Sequence, residues 1–534
     1  MNRRNFIYRS IIAGLVLPVL KACSATSKKI PGKIIGASAH IGHRLRDKNF
    51  NEPLSIEQVD VVIIGGGISG LSAARHLYNN GKTNFVVLDI EKEMGGNAAA
   101  SANTVSAYPW GAHYVPLPNN NLTEYLDFLR GCGVIENTSP TGLPVYNELH
   151  LCFDPQERLY INGRWQDGVI PNYGVPDNEL RQIKAFLALV DEMRAAKGFD
   201  SKDAFAIPVE ASSKDEKYTL LDTLTMDQWL QRQGFTSTYL KWYINYATRD
   251  DFGTTTSRIS AWAALHYFAA RKGQGANASH HDVLTWPQGN GFLVDHLKNN
   301  YKEKLQNNCL AVKVEEKDNV VLVTFFNAEE NTVKAYSCRQ CVMAVPQFIA
   351  ARLLQNNERK NIAKQHLHYT PWMVANIQTL PLSERSGQPL SWDNVIYNSK
   401  ALGYVNACHQ RVEQKTSKYN FTYYLPLTDE LPAIERTKAQ AKTHEDWVNI
   451  IINDIKNVHP DATEKIENID VMLWGHAMAQ PVPGLIHGNI RRQLAASVNN
   501  KIHFAHTDLA GISIFEEAFY QGIKAANKII KQLA

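Results

Sequence analysis

Gly65, Gly67 and Gly70 in "DVVIIGGGISGLSAARHL" (Asp60–Leu77) have the spacing G-x-G-x-x-G. The first glycine permits a tight turn, the second lets backbone approach a pyrophosphate, and the third lets a helix pack closely on the preceding strand. With Gly66 inside the turn and Ile68 and Ser69 opening the helix, free N–H groups and a partial positive charge face phosphate oxygens. Asp89 ends the next apolar run, "NFVVLD", 19 residues after Gly70. That is where a carboxylate binds a ribose hydroxyl. The predicted chemistry is that of a bound dinucleotide, and the spacing alone leaves FAD and NAD open. No second copy of the pattern follows a strand, so no separate nicotinamide module is expected.

The elements that must position these residues follow from periodicity. "VVII" reads as a buried parallel strand and "LSAARHLYNNG" as a helix stopped by Gly81. "NNNLTEYLDFLRGCG" (Asn119–Gly133) reads as a helix with an Asn121/Glu124 capping box, and residues 177–272 as mainly amphipathic helices. "LAVKVEEKDNVVLVTFF" (Leu310–Phe326) predicts a hairpin, followed by a strand ending at "VMAVP". Residues 372–474 alternate strands with one long helix near 434–458, and the chain closes with the strand "IHFAH" and a final helix.

At this point the chain resembles the flavin-containing amine oxidase superfamily, which includes protoporphyrinogen oxidases and phytoene-type desaturases. The resemblance rests on the fingerprint, on "EMGGNA", on "WGAHYVP" (Trp110–Pro116), on "TWPQGNGFLVDHL" and on the terminal "IHFAHTDLAGISIFEEAFYQGIKAANKII". It implies noncovalent FAD. Gly95 and Gly96 match the family's double glycine, with Asn97 where an Arg is usual. Gly111, Ala112 and His113 match its segment near the isoalloxazine, and Val312 its backbone contact with the adenine. Asp508 is the expected ribitol ligand. Ser513, Ile514 and the helix they open would face the flavin pyrimidine, and Ser513 with Glu516 forms an S-x-x-E capping box. Glu517 stands where the family has glycine.

The implied fold is α/β: a Rossmann-like FAD-binding domain from residues 56–134, 285–346 and 485–534, with an α+β substrate domain from 135–284 and 347–484. The implied activity is hydride transfer from a C–N or C–C bond of a small molecule to FAD, with oxygen or a quinone as acceptor. Two alternatives are a desaturase-type enzyme acting on a polycyclic or isoprenoid substrate, and a flavin-binding redox-partner lipoprotein without turnover. The family's amine oxidases hold a Lys near flavin N5, but "TPWMVANIQTL" (Thr370–Leu380) has none, and Asn376 lies closest to its place. His476 and Trp474 in "WGHAMAQPVPG" are the other catalytic candidates. Trp392, Tyr397 and Tyr404 are candidates for the flavin-flanking aromatics, with Trp474 again among them.

Residues 1–23 read as a targeting leader. "NRRNFIY" resembles the twin-arginine export signal, and "LKAC" (Leu20–Cys23) a lipoprotein box, so a periplasmic or membrane-anchored lipoprotein is expected, tethered by residues 24–55. The +4 formal charge is supplied by Arg3, Arg4, Arg9 and Lys21. The remainder is near neutral and offers no electrostatic reason for a nucleic-acid partner. "CRQC" (Cys338–Cys341) has no second pair, and "SHHD" (Ser279–Asp282) has no further ligand spacing, so no metal is expected.

Overall fold

The computed structural model describes residues 29–533 except 48 and 413–416; the leader, with Arg3, Arg4 and Cys23, lies outside the described residues. Two sheets organise the chain. Their strands are β1 (Ile34–Gly36), β2 (Ile56–Ile64), β3 (Phe85–Leu88), β4 (Glu157–Ile161) and β5 (Arg164–Asp167). Then come β6 (Leu305–Gln306), β7 (Cys309–Lys317), β8 (Val320–Asn327), β9 (Thr332–Met343) and β10 (Tyr369–Thr379). The last are β11 (Asp393–Ile396), β12 (Gly403–Asn406), β13 (Tyr419–Pro426), β14 (Ile466–Ala479) and β15 (Ile502–Phe504).

The first sheet has the order β6-β3-β2-β9-β8-β7, with β15 also on β9. β2 runs parallel to β3 and β9, and β15 parallel to β9, so four carboxyl ends open on one edge. Val61–Ile64 and Phe85–Leu88 are buried without a break, as a sheet covered on both faces requires. Helix α1 (Ile68–Asn79) follows the glycine turn and packs against the last helix, α2 (Phe515–Gln532). There Ser72 Oγ donates to the Phe519 carbonyl at 2.8 Å, and a Cβ on Gly522 would lie 2.0 Å from that hydroxyl. The predicted hairpin is β7–β8, turned by Asp318 and Asn319 at φ 50° and 67°. Cys338 and Cys341 are free, buried thiols on β9.

The second sheet, β1-β14-β10-β13-β12-β11-β4-β5, is mixed and crossed by helices. Three local expectations are corrected. The helix near 434–458 is two, Pro432–Ala441 and His444–Ile455, because Thr443 caps the second through a reciprocal box with Asp446. The helix after Asn119 begins at Thr123 behind Leu122, and Glu124 accepts from Thr123 and Tyr520 instead of serving a cap at Asn121. The tether is structured from residue 29: β1 pairs in parallel with β14, and short helices follow at Ala39–Gly42 and Arg44–Asp47. Among the described residues no helix is long and apolar enough to cross a membrane.

Candidate active site

At the carboxyl edge of the first sheet three loops interlock through their backbones. Gly65 has φ 106°, and a Cβ there would stand 2.3 Å from the Ala344 carbonyl oxygen. A Cβ on Gly70 would stand 1.8 Å from the Gly65 oxygen, so this glycine is required by helix–strand packing. Gly67 differs: a Cβ there would meet only the Gly96 Cα, at 4.0 Å, an ordinary contact. Gly95 donates to the Gly66 carbonyl (2.9 Å), and Gly95 and Gly96 take φ 146° and 57°. Ala112 donates to the Asn97 carbonyl (2.8 Å), which a Cβ on Gly111 would approach to 2.3 Å. Ile68 is half-buried and Ser69 buried at the start of α1.

Asp89 lies just past β3, its carboxylate accepting the N–H groups of Gly66 (2.5 Å) and Glu91 (2.7 Å). Burial outweighs those bonds and raises it to about 6. Cys309 N–H donates to the Asp89 carbonyl, which brings the start of β7 against it. Val312 is the extra residue of a β-bulge between the pairs Ala311–Phe325 and Lys313–Thr324, so its backbone is released from the ladder. Asn97, Ala112 and His476 remain exposed although they lie where the two sheets meet, with Asn97 Nδ2 donating to the Ala477 carbonyl (2.5 Å). These features describe an open crevice walled by glycines and closed by a carboxylate, and they fit a dinucleotide.

The C-terminal expectations change more. Asp508 is fully buried, accepting from Gln347 N–H (2.8 Å) and Tyr369 Oη (2.5 Å), so it ties the turn to β10 and shows no face to the crevice. Burial opposes its ionisation, but His506 beside it and those bonds hold it below the usual range. Thr507, one residue earlier, is the half-buried hydroxyl, 3.4 Å from Ser513 Oγ; sequence reading passed over it in favour of the acid. The Ser513/Glu516 box does not form. Ile514 occupies the N-cap with no side-chain bond. The Glu516 carboxylate is buried with neither oxygen partnered, and burial raises it to about 7. Glu517 accepts from Val209 N–H (2.6 Å) and is raised by burial to about 8.

Of the catalytic candidates, Asn376 is 4% exposed and fully committed: Nδ2 donates to the Pro109 carbonyl (3.0 Å) and Oδ1 accepts from Thr422 (2.7 Å). It positions the segment leading to Gly111 and does not reach a cavity. Trp474 Nε1 donates to the Trp110 carbonyl (2.6 Å), a second brace on the same segment. His476 faces the crevice beside Phe348 and Tyr369. Its edge is exposed, but desolvation by the packed rings and the charges of Arg436, Arg46 and His43 push it down to about 4. Tyr404 is core, against Arg158 and His459, and Tyr397 stacks on Tyr239.

Beyond His113 lies a cavity of about 820 Å³ that no motif announced. His113 packs among Tyr424 (4.7 Å), Tyr114 (5.1 Å) and Trp392 (5.4 Å), and burial lowers it to about 4. Tyr424 Oη donates to the Gly111 carbonyl (2.9 Å), linking the cavity to the glycine segment. The cavity wall carries Glu157, Asp250 and Asp393. Asp393 is the register partner of Glu157 on the neighbouring parallel strand and accepts from Tyr246 Oη at 3.3 Å. Burial and mutual repulsion raise Asp393 far above its usual value; burial and Asp251 raise Asp250 to about 7. Arg271 also lines the cavity but pairs with Asp251 at 2.8 Å. Among the described residues no cluster of three or more His, Cys, Asp or Glu is arranged to hold a metal ion. The arrangement suits a cation bounded by aromatic faces.

The comparisons agree with this geometry. The profile of the family described as "Flavin containing amine oxidoreductase" matches residues 68–530. The structure of a putrescine oxidase double mutant superposes with a TM-score of 0.64 at 14% identity, covering 89% of this chain and 100% of that one. Cyclohexylamine oxidase from Brevibacterium oxydans IH-35A gives 0.63 at 16% identity, covering 89% and 99%. Among curated proteins, the Baeyer-Villiger monooxygenase ATR8 of Stachybotrys chlorohalonatus (strain IBT 40285) is 46% identical over 50 residues. That match spans 9% of this chain and 8% of the relative's length. With a match across most of its length and a shared fold, the chain belongs to the flavin-containing amine oxidoreductase family and is a flavin-dependent oxidoreductase.

Proposed function

We propose that the protein binds FAD noncovalently in the crevice and oxidises a C–N bond of a small cationic amine held in the cavity. The observation that carries this reading is the trio Glu157, Asp250 and Asp393, none of them ion-paired among the described residues, on the wall that begins at His113. Carboxylates crowded on one cavity wall repel one another, and ionising them together is costly. An ammonium group among them restores their charge, whereas an apolar polycyclic or isoprenoid substrate leaves the cost in place. The chain's residues divide the work. Asp89 and the Gly65–Gly70 turn hold the adenosine and pyrophosphate, and Asn97, Gly111 and Ala112 the inner part of the crevice. The acids attract the ammonium, and the aromatic faces of Trp392, Tyr424 and Tyr114 orient it. His113, neutral at neutral pH, is the group beside the glycine segment able to accept a proton. When bound, the flavin supplies the hydride acceptor.

Anaerobic mixing of purified holoprotein with panels of primary amines, diamines, tetrapyrroles and isoprenoids tests this. Bleaching of the flavin by amines alone is expected. Bleaching only by the apolar panel would establish the desaturase reading, and bleaching by none the redox-partner reading. The electron acceptor we infer to be oxygen or a quinone. For location we infer twin-arginine export and lipid attachment at Cys23, supported by the residue pattern Arg3-Arg4-x-Phe6-Ile7 and the Leu20–Cys23 box. Normal export of an Arg3→Lys/Arg4→Lys pair, or membrane retention of Cys23→Ser, would overturn the corresponding part.

A further inference from the structure

Residues 30–45 link two hydrophobic clusters, one packed on the second sheet and one on the first. Ile30 is 4% exposed, in the cluster of Ile377, Ile469 and Val471. β1 then extends the edge of β14, the strand that carries Trp474 and His476. Fifteen residues after Ile30, Leu45 is 6% exposed in a different cluster, with Val62, Ile64 and Leu88 beneath the fingerprint turn. Phe50 packs on Phe326 with ring centres 5.9 Å apart, and the Arg44 guanidinium lies 3.9 Å over the Phe326 ring. Leu54 and Ser55 then bond to Val333 and Ala335 as the chain enters β2.

Between the two anchors the segment passes over the acidic end of β3. Ser38 gives the Glu91 carboxylate three hydrogen bonds, two from its N–H (2.9 and 3.1 Å) and one from its hydroxyl (2.8 Å). A Cβ on Gly42 would stand 3.3 Å from Ile90 Cδ1. Ile90 and Glu91, the two residues after Asp89, are therefore covered by Ser38–Gly42.

We infer that residues 38–45 are part of the dinucleotide site: they form its outer wall beside Ile90 and Glu91, next to Asp89, and so slow the release of the bound cofactor. This rests on the FAD reading above. The wall holds by two separable contacts, namely the Leu45 anchor and the Ser38–Glu91 clamp.

Dilution of holoprotein, followed by the rise in free-flavin fluorescence, measures release of FAD independently of turnover. Leu45→Ala should release FAD about tenfold faster or more than the parent, since a buried Leu→Ala change weakens its seat by at least that factor. Limited trypsin digestion should then cut at Arg44, which the parent holds over the Phe326 ring. The pair Ser38→Ala/Glu91→Gln, which leaves both cores intact, should speed release in the same direction. Release at the parental rate from variants whose segment trypsin now cuts would overturn the wall. A parent that holds no flavin would overturn this inference together with the proposed function, and is told apart by its absorbance spectrum.

Discussion

Asp393 and Glu157 are register partners on adjacent parallel strands, β11 and β4, and both carboxylates line the cavity that starts at His113. Like charges directly opposite on a sheet destabilise it, and here burial raises both groups' affinity for protons. Asp393→Asn should therefore stabilise the protein without substrate. It should also weaken amine binding about tenfold or more, the order lost when one partner of a buried charge pair is removed. Thermal unfolding with and without amine, beside an anaerobic spectral titration, reads both; unchanged affinity would remove the acid trio from the substrate site.

Asp250 makes that binding depend on pH. Raised to about 7, it is neutral below that value and charged above it. Amine affinity should rise as pH increases from 6 to 8, until the amine itself loses its proton, and Asp250→Asn should flatten the rise. Spectral titration at several pH values measures it.

Glu517 sets a stability trend of the opposite sense. Its folded-state value of about 8 lies above the ordinary carboxyl value of 4.5, so the folded protein holds a proton that the unfolded chain releases. Its contribution is present below about 4.5 and lost as pH rises through 8, by about 5 kcal/mol at most at 1.4 kcal/mol per unit. Glu517→Gln keeps an acceptor for Val209 N–H and should make the melting temperature less dependent on pH between 5 and 8. A melting curve that falls with pH equally in both proteins would show that other groups set the trend.

Two fingerprint glycines should fail differently. Gly70→Val drives side-chain atoms into the Gly65 backbone and should prevent folding. Gly67 has φ −77° and no protein atom within 4 Å of a Cβ save the Gly96 Cα at 4.0 Å, so Gly67→Val should fold and purify colourless. Circular dichroism and flavin absorbance distinguish the two; a yellow Gly67→Val protein would place the pyrophosphate elsewhere.

Asn376 should behave as a brace. Asn376→Ala leaves the Pro109 carbonyl and the Thr422 hydroxyl without partners, costing about 1–3 kcal/mol. Flavin content should stay full while reduction by amine slows, since Trp110 and Gly111 lose their support. Urea unfolding and stopped-flow reduction measure the two effects, and loss of flavin with unchanged reduction of the remainder would reverse the assignment.

Residues in local order were sufficient to locate the cofactor half of the protein. A strand, a glycine turn, a helix and an acidic strand end act through backbone conformation within about thirty residues, so their spacing carries their geometry, and the α/β class follows with them. The same local logic misled at Ser513 and Glu516. The S-x-x-E spacing describes a capping box, but Ser513 turns to Thr507 and Glu516 is buried by the fold around it. Asp508 was chosen for its charge, yet Tyr369 and Gln347 draw it inside. The substrate cavity left no mark in the sequence at all. Glu157, Asp250 and Asp393 lie on separate elements, each like any surface acid in its own segment. Strand pairing across more than two hundred residues sets the first beside the third, and helix packing adds the second. Charge and burial belong to the assembled neighbourhood, so only the tertiary structure decided which acids would share one cavity wall.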